Sequence, residues 1–394
     1  MSRRKLPRGT AAQLNAATFL PGEIAVDTTN DELRYDGDGS TVGGIALARK
    51  DGTNLTAGPS SVTATGTTTA RTLAARFAEF RRAEDYGAVG DGSTDDTTAI
   101  QALLTAGYIW QPVSGRSYAI SARLNITSAG SGIIGDGTPL IVMLSGSGKF
   151  ANTSASAGNR YGTNAVGIYA SGIARPIVKG VRIKYETQTD DRYVKAIAFQ
   201  TCTDILIEEV EAWNFTKALG VIYVGACTGG SVSRNYVHDC TTNSATTGQI
   251  TGIEFDNDNT YSSGIDVDGN RVENLTVGST FLGLYGYQTD GINVTKETSK
   301  QLRIRGNHVK GVGEGIDHFG VDCEITDNHV EDCYYYGIKH VNGSCRTLTT
   351  TNTIRRCGIA GIILAGSATV SQDTADNYIF GNDIYDIDPN GTFS

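Results

Sequence analysis

An irregular repeat between Ile177 and the C-terminus most constrains how this chain can fold. Asparagine recurs six times, and each asparagine is followed two positions later by Val or Ile. Three positions before each one stands another aliphatic residue, with Thr349 as the one departure. The closest spacings, 21 and 24 residues, are those of a β-solenoid coil, and longer spacings imply inserted loops. The asparagines are Asn235, Asn270, Asn307, Asn328, Asn352 and Asn382, and the residues that follow are Val237, Val272, Val309, Val330, Ile354 and Ile384.

A second column consists of glycine followed by Ile or Val. Coils stack about 4.8 Å apart, so the asparagine side chains should hydrogen-bond along the solenoid axis. We expect these asparagines to occupy turn positions in left-handed geometry, which Asn tolerates. Cys240, Cys333 and Cys357 fall on apolar positions and should be core thiols instead of disulfides. The column glycines are Gly220, Gly252, Gly291, Gly315, Gly337 and Gly361.

Composition and charge limit the possible partners. The chain has 49 Gly against 7 Pro, which indicates frequent turns, and a net charge of −9. That charge argues against nucleic acid or an anionic membrane as the main partner, because phosphate binding needs clustered Lys and Arg. No secretory signal or membrane-spanning stretch is recognisable, so we expect no membrane insertion. Export from the cell would then follow another route, such as lysis with the protein inside a virion.

The first fifty residues read as a separate unit. Leu20 to Leu47 contain two short strands, Glu23 to Asp27 and Glu32 to Tyr35, broken by Asp-Gly turns. The "EIAVD" strand and the "GDGSTVGGI" turn resemble the small N-terminal module that attaches phage tail fibres to the virion. This resemblance implies that residues 1–50 bind phage tail or baseplate proteins. A generic small β domain is the alternative.

Residues 51–83 are interpreted as a linker and neck helix. Asp51 to Ala70 are rich in Gly, Ser and Thr, which is typical of a linker. From Thr69 to Arg82 the apolar spacing predicts a short helix that would pack against copies of itself in an oligomer. A second helix should begin near Thr94, Asp95 or Asp96 and bury its apolar face, formed by Ile100, Leu103 and Leu104.

Four segments between Thr69 and Ile141 carry a resemblance to a known family. They are "TLAARFAEF", "DYGAVGDGSTDDTTAIQAL", "YIWQPVSGRSYAIS" and "GIIGDGTPLI". Together they resemble phage tailspikes of the pectate-lyase-like superfamily. The resemblance implies an all-β fold in which residues 84–394 form a right-handed parallel β-helix, with the segment after residue 84 capping its N-terminal end. It also implies a homotrimer.

Stacking the two columns brings acidic residues together. Asp290 and Glu314 directly precede aligned glycines on adjacent coils, so their backbones should lie about 5 Å apart, as in a retaining carboxylate pair. Glu254 and Asp317 follow aligned glycines two coils apart, about 10 Å, near the upper limit for an inverting pair. These four residues are the candidate catalytic groups. Longer connections after Asn235 and Asn270 predict loops that wall a groove beside them.

The segment Gln288 to Ile292, QTDGI, is similar to the "NTDGI" of polygalacturonases, in which the Asp is catalytic. The similarity implies that role for Asp290. The rest of that family's set is missing: Glu314 stands where a double Asp is expected, and Tyr336 replaces the catalytic His. Polygalacturonase activity itself is therefore not expected.

Other residues near this edge are candidates for substrate binding. Aromatic rings can stack on sugars, although Tyr also fits half-buried strands without any binding role. His318 and His340 share a column and are expected at the interior or the edge. Asp256, Asp258, Asp266 and Asp268 suit turns better than a Ca²⁺ site, and no metal or cofactor is expected. The candidate substrate-binding residues are Tyr285, Tyr287, Tyr334, Tyr335, Tyr336 and Lys339.

Taken with the candidate carboxylates, the resemblance implies a phage tailspike that binds, and cleaves by hydrolysis or β-elimination, a bacterial capsule, O-antigen or exopolysaccharide. It would be made in the host cytoplasm, reside in the virion tail and act at the host cell surface. Two alternatives remain open. One is a receptor-binding spike without catalysis on the same scaffold, and the other is a purely structural tail or baseplate protein, since the fold alone does not decide function.

Overall fold

The computed structural model divides the chain into two compact units, Met1–Phe80 and Arg81–Ser394. It describes residues 8–10, 12–13, 23–28, 32–36, 45–49, 61–62, 71–72, 81–146, 149–150, 165–187, 194–215, 218–242, 250–256, 261–277, 289–295, 299–341, 343–366 and 374–387. In this part of the chain no helix is long and apolar enough to span a bilayer.

The N-terminal unit contains a four-stranded sheet. Its strands, in spatial order, are Arg8–Gly9, Glu23–Asp27, Glu32–Asp36 and Ile45–Arg49. The first pair is parallel and the other two pairs are antiparallel. The second and third strands are the two predicted from the sequence, which are therefore confirmed. Residues 69–70 and 73–80 of the predicted neck helix lie outside the described residues. Of its described residues, Arg71–Thr72 instead form a strand antiparallel to Ser61–Val62, and Arg81 and Arg82 are not helical.

The second unit is a right-handed parallel β-helix built from three long sheets. Sheet I contains Leu124–Ile126, Val166–Ser171, Lys195–Gln200, Ile222–Gly225, Ile250–Phe255, Thr289–Val294, Glu314–His318, Tyr336–Val341 and Ala360–Ala365. Sheet II contains Gly132–Ile134, Ile177–Lys179, Thr203–Glu208, Thr228–Ser233, Asp266–Asp268, Arg303–Arg305, Glu324–Thr326, Leu348–Thr350 and Tyr378–Phe380. Sheet III contains Asp91–Asp95, Ser117–Ile120, Leu140–Met143, Arg182–Tyr185, Glu211–Trp213, Tyr236–Thr242, Arg271–Val277, His308–Lys310, His329–Glu331, Thr353–Arg355 and Asp383–Tyr385.

The predicted asparagine ladder is confirmed. From Asn235 to Asn382, the backbone N–H and side-chain amide of each asparagine donate to Oδ1 of the next, over 2.9 to 3.0 Å. The expected left-handed geometry belongs to the preceding residue instead, as at Arg234 and Gly306. The ladder fixes the register between sheets II and III, because it satisfies buried amide groups at the turn that joins them.

The glycine column lies in sheet I, with one correction. Ile222 pairs with Ile253, so Val221 and not Gly220 lies beside Gly252. Glycine is required further along because the core is narrow there. A Cβ on Gly291 would lie 2.3 Å from Val309 Cγ1, which belongs to the facing aliphatic column of sheet III. All seven cysteines are free thiols, and Cys240, Cys333 and Cys357 are buried as expected.

The N-terminal end of the β-helix is covered by the segment from Ala83 onward. A 3₁₀ helix, Ala83–Tyr86, precedes the α-helix Thr97–Thr105, whose Ile100, Leu103 and Leu104 are fully buried. Asp95 Oδ1 accepts a hydrogen bond from the amide of Thr97 at 3.1 Å. Gln101 exchanges hydrogen bonds with the backbone of Asn125 in the first strand of sheet I, at 2.7 and 3.0 Å. The helix thereby pairs an otherwise open sheet edge, as a cap must.

Candidate functional site

The register of sheet I decides which candidate residues meet. Asp290 pairs with Glu314 on the next coil, and Glu314 pairs with Tyr336 on the one after. A second row lies three residues further along the same strands. It contains Glu254, Asn293, Asp317 and Lys339. The predicted stacking of these rows is confirmed, so residues distant in sequence become neighbours along one sheet.

Asp290, Glu314 and Asp317 form what we call the carboxylate cluster. One oxygen of each lies within 4.8 Å of the others, and the three residues are 0%, 4% and 1% exposed. Lys339 Nζ donates to Glu314 Oε2 at 2.8 Å and lies 3.4 Å from Asp317 Oδ2. Asn293 Nδ2 donates to Asp290 Oδ2 at 2.6 Å. The side-chain donors that described residues offer these three carboxyl groups are therefore one ammonium and one amide.

Burial and crowding shift the proton affinities of this cluster. Burial raises the pKa of Asp290 well above its usual range, and the charges of Glu314 and Asp317 raise it further. Burial also raises the pKa of Asp317 to about 7, although Lys339 opposes this effect. Burial lowers the pKa of Lys339, but the charges of Asp317 and Glu314 outweigh it and keep the pKa above the ordinary value. The cluster thus places carboxyl groups of raised pKa beside the ammonium of Lys339, which suits general acid–base chemistry.

Some acceptor atoms at the cluster lack an internal partner. Asp290 Oδ1, Asp317 Oδ1 and Asn293 Oδ1 are buried and accept no hydrogen bond from any residue that the structure describes. Buried acceptors of this kind are costly unless a ligand or water satisfies them. Hydroxyl groups of a sugar are donors of the required type.

Glu254 lies in a different group of side chains, together with Lys195 and Tyr223. The sequence pattern identified Glu254 but not the other two. Lys195, fully buried, places Nζ 4.8 Å from the ring centroid of Tyr223, and Tyr223 pairs in register with Glu254. Burial lowers the pKa of Lys195 to about 8, while Glu254 and Asp256 act in the opposite direction. Asn293 separates Glu254 from Asp317 in the row. The sequence signal was the single Lys that opens the strand Lys195–Gln200, otherwise apolar until its last residue.

The described aromatic candidates lie at the start of Tyr336–Val341, the strand of sheet I that pairs with the strand of Glu314. The rings of Tyr334 and Tyr335 meet edge to face with centroids 4.7 Å apart, and those of Tyr335 and Tyr336 lie 6.2 Å apart. Tyr334 is 39% exposed. Tyr285 and Tyr287 lie outside the described residues, as do residues 243–249 and 278–288 of the two predicted groove loops.

His318 and His340 are interior residues. Both are fully buried, their rings lie 5.4 Å apart, and each has Nδ1 3.1 Å from the hydroxyl of Ser344. Burial lowers the pKa of both, so the neutral imidazole is favoured. Thr349 breaks the aliphatic column because its hydroxyl lies 3.0 Å from His340 Nε2. This contact explains the one departure in the sequence repeat.

The aspartates considered for Ca²⁺ have other surroundings. Arg303 donates to both carboxylate oxygens of Asp266, at 2.5 and 2.8 Å, so this carboxylate is held in a bidentate ion pair. Asp256 is buried near Lys195, and Asp258 lies outside the described residues.

Comparison with solved structures finds similar chains at low sequence identity. The chain is 12% identical to ORF18 of Geobacillus virus E2, with a TM-score of 0.44, covering 98% of this chain and 75% of that one. It is 15% identical to the Dettilon tailspike protein, with a TM-score of 0.49 and coverage of 80% and 63%. It is 10% identical to the alginate lyase of Paenibacillus sp. str. FPU-7, with a TM-score of 0.42 and coverage of 73% and 97%.

No curated protein is significantly similar to the chain in sequence. A family model does match. It is described as rhamnogalacturonase A/epimerase, pectate lyase-like, and it spans residues 80–339, more than half of the 394 residues. The matched range begins beside the N-terminal cap, includes the carboxylate cluster and ends at Lys339. The chain therefore belongs to the rhamnogalacturonase A/epimerase, pectate lyase-like family.

Proposed function

We propose that this protein is a phage tailspike that hydrolyses a bacterial surface polysaccharide at the carboxylate cluster. One observation carries the proposal: Asp290, Glu314 and Asp317 place carboxylate oxygens within 4.8 Å of one another, with Lys339 between two of them. Family membership supports it, as do the resemblance of residues 1–50 to a tail-fibre attachment module and that of residues 69–141 to phage tailspikes. Attachment to the virion tail, trimer assembly and action at the host cell surface are part of the same proposal.

The geometry favours a division of labour between Asp290 and Glu314. Asp290, whose pKa is raised, holds the proton that the leaving sugar oxygen needs. Glu314 accepts the hydrogen bond of Lys339 and attacks the anomeric carbon as the bond to the leaving sugar oxygen breaks. Water then displaces the sugar from Glu314 and gives its proton to Asp290. The short separation fits the roughly 5 Å of retaining glycosidases better than the roughly 6.5–9.5 Å of inverting ones. Asp317 positions Lys339.

Electrostatics favours hydrolysis of a neutral sugar over β-elimination. A lyase must neutralise the carboxylate of a uronate before it removes the neighbouring proton. Among the described residues, the cation that contacts the carboxylate cluster is Lys339, and Glu314 and Asp317 already pair with it. A further carboxylate on the substrate would be repelled in this low-dielectric site.

The test is to incubate the purified full chain with capsule, O-antigen and exopolysaccharide preparations from candidate hosts. We expect new reducing ends without the absorbance of unsaturated uronates. Asp290→Asn and Glu314→Gln should abolish cleavage and keep binding, whereas Glu324→Gln, an exposed carboxylate in sheet II of the same coil, should cleave normally. Binding without cleavage by the wild type would instead establish a receptor-binding spike, and no binding would favour a structural tail protein.

A further inference from the structure

A second group of side chains that bind metals lies on the outer face of sheet III, away from the carboxylate cluster. His308 and His329 pair in register on adjacent coils, and Glu331 stands two residues after His329. Both imidazoles are 36% exposed, whereas the Glu331 side chain is 5% exposed. These three residues leave their imidazole and carboxylate groups on one side of the sheet.

The distances fit a metal ion between them. His308 Nε2 lies 3.3 Å from Glu331 Oε1, and His329 Nε2 lies 3.5 Å from Glu331 Oε2. One donor atom from each of the three lies within 4.8 Å of the others. Ligands about 2.0–2.1 Å from a tetrahedral Zn²⁺ are about 3.3–3.4 Å from each other, so the two distances between histidine and Glu331 already match such a site.

A second carboxylate lies near the first imidazole. His308 Nδ1 is 3.7 Å from Glu273 Oε1, which is beyond hydrogen-bond distance but within the range of an ion pair. Glu273 is itself fixed, since Arg271 Nε and the Tyr236 hydroxyl donate to its two oxygens at 2.6 and 3.1 Å. His308 therefore has a carboxylate near each of its ring nitrogens, Glu273 near Nδ1 and Glu331 near Nε2.

We propose that His308, His329 and Glu331 form a binding site for a divalent transition metal such as Zn²⁺. Two imidazoles and one carboxylate are a donor set that such ions favour. The exposure of both histidines leaves room for a fourth ligand from water or from a bound molecule. The site goes beyond the proposed hydrolysis and is independent of it.

Neighbouring cations set the affinity of this site. Lys310 Nζ lies 3.4 Å from Glu331 Oε1, and Arg355 and Arg356 donate to Glu331 Oε2. These charges repel a dication and compete for the carboxylate, so affinity should be moderate. Removing Lys310 should therefore tighten metal binding. If the histidines were only hydrogen-bond partners of Glu331, the protein would bind no metal either with or without Lys310.

The experiment titrates the chelator-stripped full chain with Co²⁺ and follows its visible absorption, then displaces Co²⁺ with Zn²⁺. We expect one ion per chain, with at least tenfold weaker binding in His308→Gln and in His329→Gln. His238→Gln is the matched control, because His238 lies on the same face but contacts Glu211 and Asp239. Circular dichroism checks that each variant is folded.

The proposal also requires Lys310→Met to bind Co²⁺ more tightly than the wild type. It is overturned if the wild type binds no Co²⁺, if binding survives unchanged in His329→Gln, or if His238→Gln reduces binding as much as His308→Gln does. Cleavage of polysaccharide is measured separately, so failure of one proposal does not affect the other.

Discussion

Lys339 Nζ lies 2.8 Å from Glu314 Oε2, and this pair holds the carboxylate cluster together. The side chains of Lys339 and Glu314 are 13% and 5% exposed, so both charges are largely removed from water. An ion pair at this depth is sensitive to the loss of one partner, because the remaining charge stays buried. The same contact fixes the position of the proposed nucleophile.

Lys339→Met should therefore impair both folding and cleavage. We expect the free energy of unfolding to fall by about 3 kcal/mol, because Glu314 and Asp317 lose their shared cation. We also expect kcat to fall about a hundredfold, with a smaller change in KM, because Glu314 is no longer positioned. Denaturant titration and initial rates measure the two effects. Lys184→Met, at a partly exposed position of sheet III, is the control and should stay within about 0.5 kcal/mol of the wild type.

The raised pKa of Asp317 predicts a pH dependence of stability. Its pKa is about 7 in the folded protein against an ordinary 3.8, so the folded state retains a proton that the unfolded chain has released. Between about pH 4 and pH 7 the titration of Asp317 therefore lowers the free energy of unfolding as the pH rises. Above pH 7 its contribution to that free energy is constant. Asp317→Asn cannot ionise and should remove this part of the decline.

The measurement is the difference in unfolding free energy between Asp317→Asn and the wild type across that pH window. Taking the difference cancels the opposing effect of His318 and His340, whose lowered pKa values make stability fall as the pH drops below 6.5. The variant should gain on the wild type by a few kcal/mol as the pH rises, since one pKa unit is about 1.4 kcal/mol. A difference that does not vary with pH contradicts the proposed proton on Asp317.

The sequence predicted the late coils well because two kinds of residue mark their register. Asparagine is needed where buried amide groups require a side-chain partner, and glycine is needed where a Cβ would meet the facing aliphatic column. These two markers were enough to place Asp290 beside Glu314. Their effect is steric and local, so it can be read from spacing alone.

The early coils lack those markers, and prediction failed there. Val221 fills the position that glycine holds later, and this led to the wrong assignment of Gly220. Without a register the sequence could not bring Lys195 to Tyr223 and Glu254. Thr349 is a different case. It replaces an aliphatic residue because its hydroxyl hydrogen-bonds to His340, and spacing in the sequence does not reveal a contact across the coil.

The glycine column gives a steric prediction. In Gly315→Ala the new Cβ would lie 2.3 Å from Val330 Cγ1 and 2.4 Å from the carbonyl oxygen of Gly337, so the backbone must move. We expect a loss of about 1–3 kcal/mol in thermal or denaturant unfolding. Gly366→Ala is the matched control, since nothing lies within 4 Å of its Cβ, and it should be nearly neutral. Equal stability of the two variants would be incompatible with the packing described.

The asparagine ladder should show a gradient from its centre to its end. Asn307 accepts two hydrogen bonds from Asn270 and donates to Asn328 and to the carbonyl of Val267. Asn307→Ala leaves the buried backbone N–H and side-chain amide of Asn270 without their acceptor and removes a donor to Val267 and Asn328, so we expect a loss of about 2–5 kcal/mol. Asn382→Ala removes the same side chain from the last described rung of the ladder, where it is only partly buried and water can replace it, and should cost less than half as much. Denaturant unfolding measures both, and a larger effect at Asn382 would mean that the ladder is not what fixes the register of the central coils.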